Sequence, residues 1–242
     1  MATLSRRSFL GCACCGAASL ALGCLSLPSY VSPAVAAGPK TNLTPDQALK
    51  LLKDGNETYL KDTPFARDSS DKQRRIDIAR GQTPFAVLVS CSDSRVPPEL
   101  LFGRGLGELF IVRNAGNTVD TTALGSIQYA VAELGVPLVL VLGHERCGAV
   151  DAAVSVVEKN TSFPGAIGQM IEPIIPAVLT AKAQQGGDLV DKSVRENVRR
   201  TVARLRTASD PLLLDPIKAG KLRIIGARYD LEDGDVDFFD EG

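Results

Sequence analysis

Leu109-Phe110-Ile111-Val112, then Thr121 to Leu134, then Leu138-Val139-Leu140-Val141-Leu142: the reading of these three stretches decides the fold. The first and third are continuous apolar runs, as in strands buried on both faces. The segment between them is helical in period and stops at Gly135, before Pro137. Strand, helix and strand in that order make a βαβ unit, hence a parallel sheet with helices on its faces. Phe85-Ala86-Val87-Leu88-Val89 supplies an earlier strand and Leu222 to Ala227 a late one. Val236 to Phe239 is expected to pair with the late strand across Asp233-Gly234, a hairpin turn signal. The expected fold class is α/β: a mostly parallel sheet flanked by α-helices, in a single domain.

Further helices follow from local signals. Thr44-Pro45-Asp46-Gln47 is a capping box with Pro at the first helical position. The helix it opens is expected to stop near Gly55, with a second turn through Tyr59. Asp71 to Arg80, Gly148 to Glu158, Ile167 to Gln185 and Lys192 to Arg206 also read as helices, the third carrying Pro173 and Pro176 near its start. Gly103-Arg104-Gly105-Leu106-Gly107 has the wrong spacing for a nucleotide loop and precedes a strand, so it reads as a turn.

The 242 residues include 27 Lys+Arg and 28 Asp+Glu, for a net charge of −1. That balance points to neither nucleic acid nor an anionic membrane as a partner. Hydrophobic residues make up 45% and charged residues 23%, which excludes a disordered chain. At the N-terminus, Ser5-Arg6-Arg7-Ser8-Phe9-Leu10 opens an uncharged, weakly apolar stretch that ends at Pro28. An arginine pair before such a stretch has the form of a twin-arginine export signal. Ala34-Val35-Ala36 offers small residues for cleavage before Ala37. The expected organisation is therefore an export signal over 1–36 and a catalytic domain over 37–242, with a periplasmic destination. Contact with the membrane would then be through the signal alone. An uncleaved anchor and lipidation at Cys24 are the alternatives, the first weakened by a scarcity of Leu, Ile and Val. Cleavage removes Arg6 and Arg7 from the 27 basic residues, leaving 25 against 28 acids and a net of −3. It also removes Cys12, Cys14, Cys15 and Cys24, leaving Cys91 and Cys147. Two cysteines rule out a disulfide framework.

Those two cysteines and the chain's one histidine fall at strand ends. Cys91 follows the first strand and His144 the third, while Cys147 opens the next helix. Open parallel sheets bind ligands at the carboxyl ends of their strands, so these residues face one crevice. A helix N-terminus favours a thiolate at Cys147. Two thiolates and an imidazole are good ligands for Zn²⁺, and three protein ligands leave a fourth position open. Buried core cysteines and a redox pair are the competing readings of the same residues.

Cys91-Ser92-Asp93-Ser94-Arg95, followed by His144-Glu145-Arg146-Cys147-Gly148, resembles the β-class carbonic anhydrases, which carry Cys-x-Asp-x-Arg and, some fifty residues on, His-x-x-Cys. The resemblance extends through Arg113-Asn114-Ala115-Gly116-Asn117 and Ser126-Ile127-Gln128-Tyr129-Ala130, and covers roughly Leu43 to Phe239. Ala149 departs from it, standing where many members have a second Gly. The resemblance implies Cys91, His144 and Cys147 as ligands of one Zn²⁺ per subunit, and Asp93 with Arg95 as a catalytic dyad. It implies reversible hydration of CO2 to bicarbonate, zinc making hydroxide available near neutral pH while Asp93, held by Arg95, orients it. It also implies a homodimer or higher homo-oligomer. A carbon disulfide hydrolase on the same scaffold and a non-catalytic zinc or thiol protein are the other readings, and the intact dyad argues against the latter.

Overall fold

The structure, a computed structural model, describes residues 39–63 and 70–242; the expected export segment, with its arginine pair, cleavage site and Cys24, lies outside the described residues. Five strands form one sheet: β1 (Ala86–Ser90), β2 (Leu109–Arg113), β3 (Leu138–His144), β4 (Arg223–Tyr229) and β5 (Val236–Asp240), in the order β2-β1-β3-β4-β5. The first four are parallel and β5 is antiparallel to β4. Every residue of β1 and β3 is buried, which explains their unbroken apolar runs. From β1 the chain moves outward to β2, then crosses back to β3 on the other side of β1. The crevice at this switch lies beyond the carboxyl ends of β1 and β3.

Nine helices are described: α1 (Pro45–Tyr59), α2 (Lys72–Ile78), α3 (Pro98–Leu101), α4 (Thr121–Ala132), α5 (Gly148–Lys159), α6 (Gly165–Ile171), α7 (Ile175–Lys182), α8 (Leu189–Arg206) and α9 (Pro211–Lys218). On one face of the sheet Val87, Val89, Val139 and Val141 pack with Ile127 of α4 and Val198 and Val202 of α8. On the other, Leu88, Leu138, Leu140 and Leu142 pack with Leu49 and Leu52 of α1 and Leu101 of α3. Each such fully buried side chain contributes roughly 1.5–3 kcal/mol. A third cluster holds Cys91 and Cys147 among Val150, Ile171, Ile174, Val178 and Val194. Among the described residues no helix is long and apolar enough to cross a membrane.

Two helix expectations need correction. α1 runs unbroken to Tyr59, and Gly55 is inside it because a Cβ there would meet the Phe102 carbonyl oxygen at 2.0 Å. That glycine serves close packing and does not end the helix. The expected helix from Ile167 to Gln185 is instead α6 and α7, separated by a 3₁₀ turn over Glu172–Ile174. Pro173 and Pro176 lack the N–H groups that a continuous helix needs. The hairpin from β4 to β5 forms as expected, with Gly234 at φ 84°.

Candidate metal centre

β1 ends at Ser90, so Cys91 is the first residue beyond the sheet, while His144 is the last residue of β3. After His144 the chain turns sharply, with Arg146 in the left-handed region at φ 50°. The Glu145 N–H donates to the Tyr229 carbonyl at 2.9 Å, which anchors the turn to β4. Cys147 then caps α5. The turn thus folds Cys147 back beside the end of β1.

The ligand atoms of Cys91, His144 and Cys147 all lie within 4.8 Å of one another, and all three residues are buried. The two sulfurs are 3.9 Å apart. Tetrahedral zinc with Zn–S bonds of about 2.3 Å sets its sulfurs about 3.8 Å apart. His144 Nδ1 lies 2.8 Å from the Glu145 carbonyl oxygen. A carbonyl only accepts, so Nδ1 carries the proton and Nε2 keeps its lone pair. Nε2 is buried with no hydrogen-bond partner. Such an orphan costs about 1–3 kcal/mol unless something binds it. Spacing, tautomer and donor set therefore all fit Zn²⁺.

The two thiols titrate as a pair. The pKa of Cys91 falls to about 4, chiefly through the hydrogen bond from Cys147, with further help from His144 and the Gly116 N–H against the opposing effect of burial. Cys147 is pushed up, first by that same contact with Cys91 and then by burial. One thiolate is thus formed readily, and the second proton leaves when a cation compensates the added charge.

Asp93 sits two residues past Cys91 and is gripped by Arg95 through two side-chain contacts, Nε to Oδ1 at 2.9 Å and Nη2 to Oδ2 at 2.7 Å. The Arg95 backbone N–H adds a third at 2.9 Å. These bonds, the side-chain pair first, hold the Asp93 carboxyl well below the usual carboxylate range. Its Oδ2 lies 3.9 Å from His144 Nε2, at the rim of the ligand cluster. All five residues singled out in the sequence therefore come together.

Two further residues have no role assigned from sequence. Arg113, the last residue of β2, donates from Nε to the Cys91 carbonyl at 2.7 Å and from Nη2 to the Asp93 carbonyl at 2.6 Å. It clamps the segment that carries both a ligand and the acid. Its signal in the sequence is a cation ending an apolar strand. The Gly116 N–H donates to Cys91 Sγ at 3.2 Å. A cleft of about 460 Å³ flanks Ser92, lined also by Asn114, Ala115, Met170 and Pro173.

Residues 86–236 match the family model described as carbonic anhydrase. The chain is 41% identical over 196 residues to carbonic anhydrase 2 of Mycobacterium tuberculosis, covering 81% of this chain and 92% of that protein. A Coccomyxa β-carbonic anhydrase solved with acetazolamide superposes with a TM-score of 0.62 at 27% identity, over 79% of this chain and 86% of that one. A tetrameric β-carbonic anhydrase of Sordaria macrospora superposes at 0.61 and 26% identity, over 68% and 84% of the two chains. With the Cys-His-Cys cluster already on these strand ends, the match over most of the chain places it in the β-class carbonic anhydrase family.

Proposed function

We infer that this chain hydrates CO2 reversibly to bicarbonate and a proton, with zinc held by Cys91, His144 and Cys147. The observation that carries this reading is the convergence of a buried Cys-His-Cys set, one nitrogen of which is unpartnered, with an arginine-gripped carboxylate. Zinc supplies Lewis-acid activation of water near neutral pH. The protein's own part is orientation. Asp93 stays ionised under Arg95 and offers lone pairs beside the ligand cluster, where it accepts a hydrogen bond from the attacking oxygen nucleophile and aims that oxygen at carbon. Arg95 acts through Asp93, and its bidentate grip removes the carboxylate's rotational freedom. Arg113 keeps Cys91 and Asp93 in register by holding both their carbonyls.

The test is a CO2 hydration assay on purified protein with its zinc content measured. Catalysis in proportion to zinc is expected. A zinc-loaded protein that hydrolyses carbon disulfide and leaves CO2 untouched would overturn the reading, as would one inert to both.

The assembly is a homodimer or a larger homo-oligomer; support comes from the tetrameric Sordaria relatives. The destination is the periplasm, by way of a twin-arginine signal over 1–36 that leaves a mature domain of 37–242. The support is the sequence pattern around Arg6 and Arg7 and the small residues before Ala37.

A further inference from the structure

The buried face of α8 is an apolar stripe of Val194, Val198, Val202 and Leu205, interrupted by Ser193 and Asn197. Ser193 satisfies itself within the helix by donating to the Leu189 carbonyl. Asn197 does not. Its side-chain Nδ2 donates at 2.9 Å to the carbonyl of Gly116, 81 residues away. A carbonyl only accepts, so the amide nitrogen must face it. An asparagine only 4% exposed needs such a partner to offset its desolvation.

Gly116 is the residue whose N–H donates to Cys91 Sγ. It stands in a tight turn where both Gly116 and Asn117 have positive φ, at 69° and 46°. There its carbonyl lies outside any regular ladder, and Asn197 supplies its donor. A Cβ on Gly116 would lie 2.7 Å from Ile174 Cδ1 and 3.1 Å from Ala149 Cβ, so the turn is also walled by packing. One residue is thus held at its carbonyl by α8 while its N–H holds the sulfur of a metal ligand.

We propose that Asn197 is a positioning residue for Cys91, acting through the backbone of Gly116 to fix the N–H···S hydrogen bond on the ligand sulfur. That bond draws electron density from the sulfur and sets its direction; partners of this kind are worth tenfold to a hundredfold in metal affinity. The proposal rests on the zinc site described above and extends it to a helix that contributes no ligand.

The experiment replaces zinc by cobalt in the wild type, Asn197→Leu, Asn197→Asp and Ser193→Ala. Leu keeps the volume of Asn197 and removes the donor outright; Asp keeps its shape and removes the donor when ionised, so its spectra are read at alkaline pH. Ser193→Ala perturbs the same helix face without touching Gly116. The thiolate-to-cobalt charge-transfer band should move to lower energy in both Asn197 variants, because the sulfur becomes the stronger donor. Zinc affinity in chelator competition should fall about tenfold in both, because the loss of the sulfur's fixed direction outweighs its stronger donation. Ser193→Ala should leave band and affinity at wild-type values. Unchanged spectra and affinity in the Asn197 variants, or equal changes in Ser193→Ala, would overturn the proposal. Should both Asn197 variants fail to fold, Asn197→Gln, which keeps the amide donor, takes their place in the cobalt and chelator measurements, and the wild type tests the N–H···S bond that the proposal requires. Loaded with spin-active cadmium, its Gly116 amide should show scalar coupling to the metal across the hydrogen bond, and no coupling would overturn the proposal. A wild type that takes up neither cobalt nor zinc would sink the metal-site reading itself, a separate failure.

Discussion

Cys147 and Asp93 stand close together but do different work, and substitution separates them. Cys147→Ser replaces a thiolate by a neutral hydroxyl, a poor zinc ligand. Zinc and activity should be lost together, and metal analysis showing full occupancy with near-normal turnover would refute the ligand assignment. Asp93→Asn keeps the size of the side chain and leaves the three ligands alone. Zinc should stay bound while the rate drops by about 10²–10⁴, the range for losing a positioned acid–base group. Parallel metal analysis and hydration kinetics distinguish this from a folding defect. The chain has one histidine, and it is buried in the ligand cluster, so no second imidazole is available to carry the released proton away. The hydration rate should therefore rise with buffer concentration at fixed pH and ionic strength. A rate insensitive to buffer would show that another group exports the proton.

Among the elements, α8 decides how closely the helical layer meets the sheet. It crosses β3 and β4 over two glycines, Gly143 and Gly226. A Cβ at Gly226 would come within 2.7 Å of Val198 Cγ1 and 3.3 Å of Val202 Cγ2. Gly226→Ala overpacks this contact at a position whose nearest side chains, Val198, Val202 and Asp240, include no ligand. It should cost about 1–3 kcal/mol, seen as a lower urea midpoint, while the folded protein keeps its full zinc content. An unchanged midpoint would mean that α8 can retreat from the sheet without loss. The charged residues of α8 are paired: Arg195 with Asp191 and Asp237, Arg199 with Glu196, and Arg206 with Asp240. These pairs also engage the acid-rich β5, so the clustered acids near the C-terminus serve as partners for α8.

For the molecule as a whole, the cysteine placement and the proposed export route fit together. Two free thiols in an oxidising compartment are open to oxidation or disulfide formation. Their sulfurs are only 3.9 Å apart. Export after folding would let both bind zinc in the cytoplasm first, and ligation then shields them. Replacing Arg6 and Arg7 by Lys should leave an active, zinc-loaded, uncleaved enzyme in the cytoplasm. Cell fractionation checks this. If the double-Lys protein were found cleaved in the periplasm, the signal would belong to the route for unfolded chains.

The sequence by itself determined the parallel sheet and its chemistry. Strands β1 and β3 announce themselves because burial on both faces imposes an unbroken apolar run on consecutive residues; β2 carries the same kind of run, but it is an edge strand and only partly buried, so the expectation of burial on both faces fails there. Cys91 and His144 are legible as site residues because the carboxyl end of such a run opens onto a crevice whatever the rest of the chain does. The hairpin at Gly234 and the N-terminal capping box were equally local. Tertiary structure alone decided what depends on two distant segments meeting. Gly55 reads as a helix end until Phe102 is seen against it. Asn197 reads as a polar flaw in an apolar stripe until Gly116 arrives beside it. Arg113 finds its partners on the neighbouring strand's exit, and the tautomer of His144 is set by a carbonyl that a sharp turn brings around. Hydrophobic period is written in neighbouring residues, whereas the partner of a buried polar group is chosen by packing that no stretch of local sequence contains.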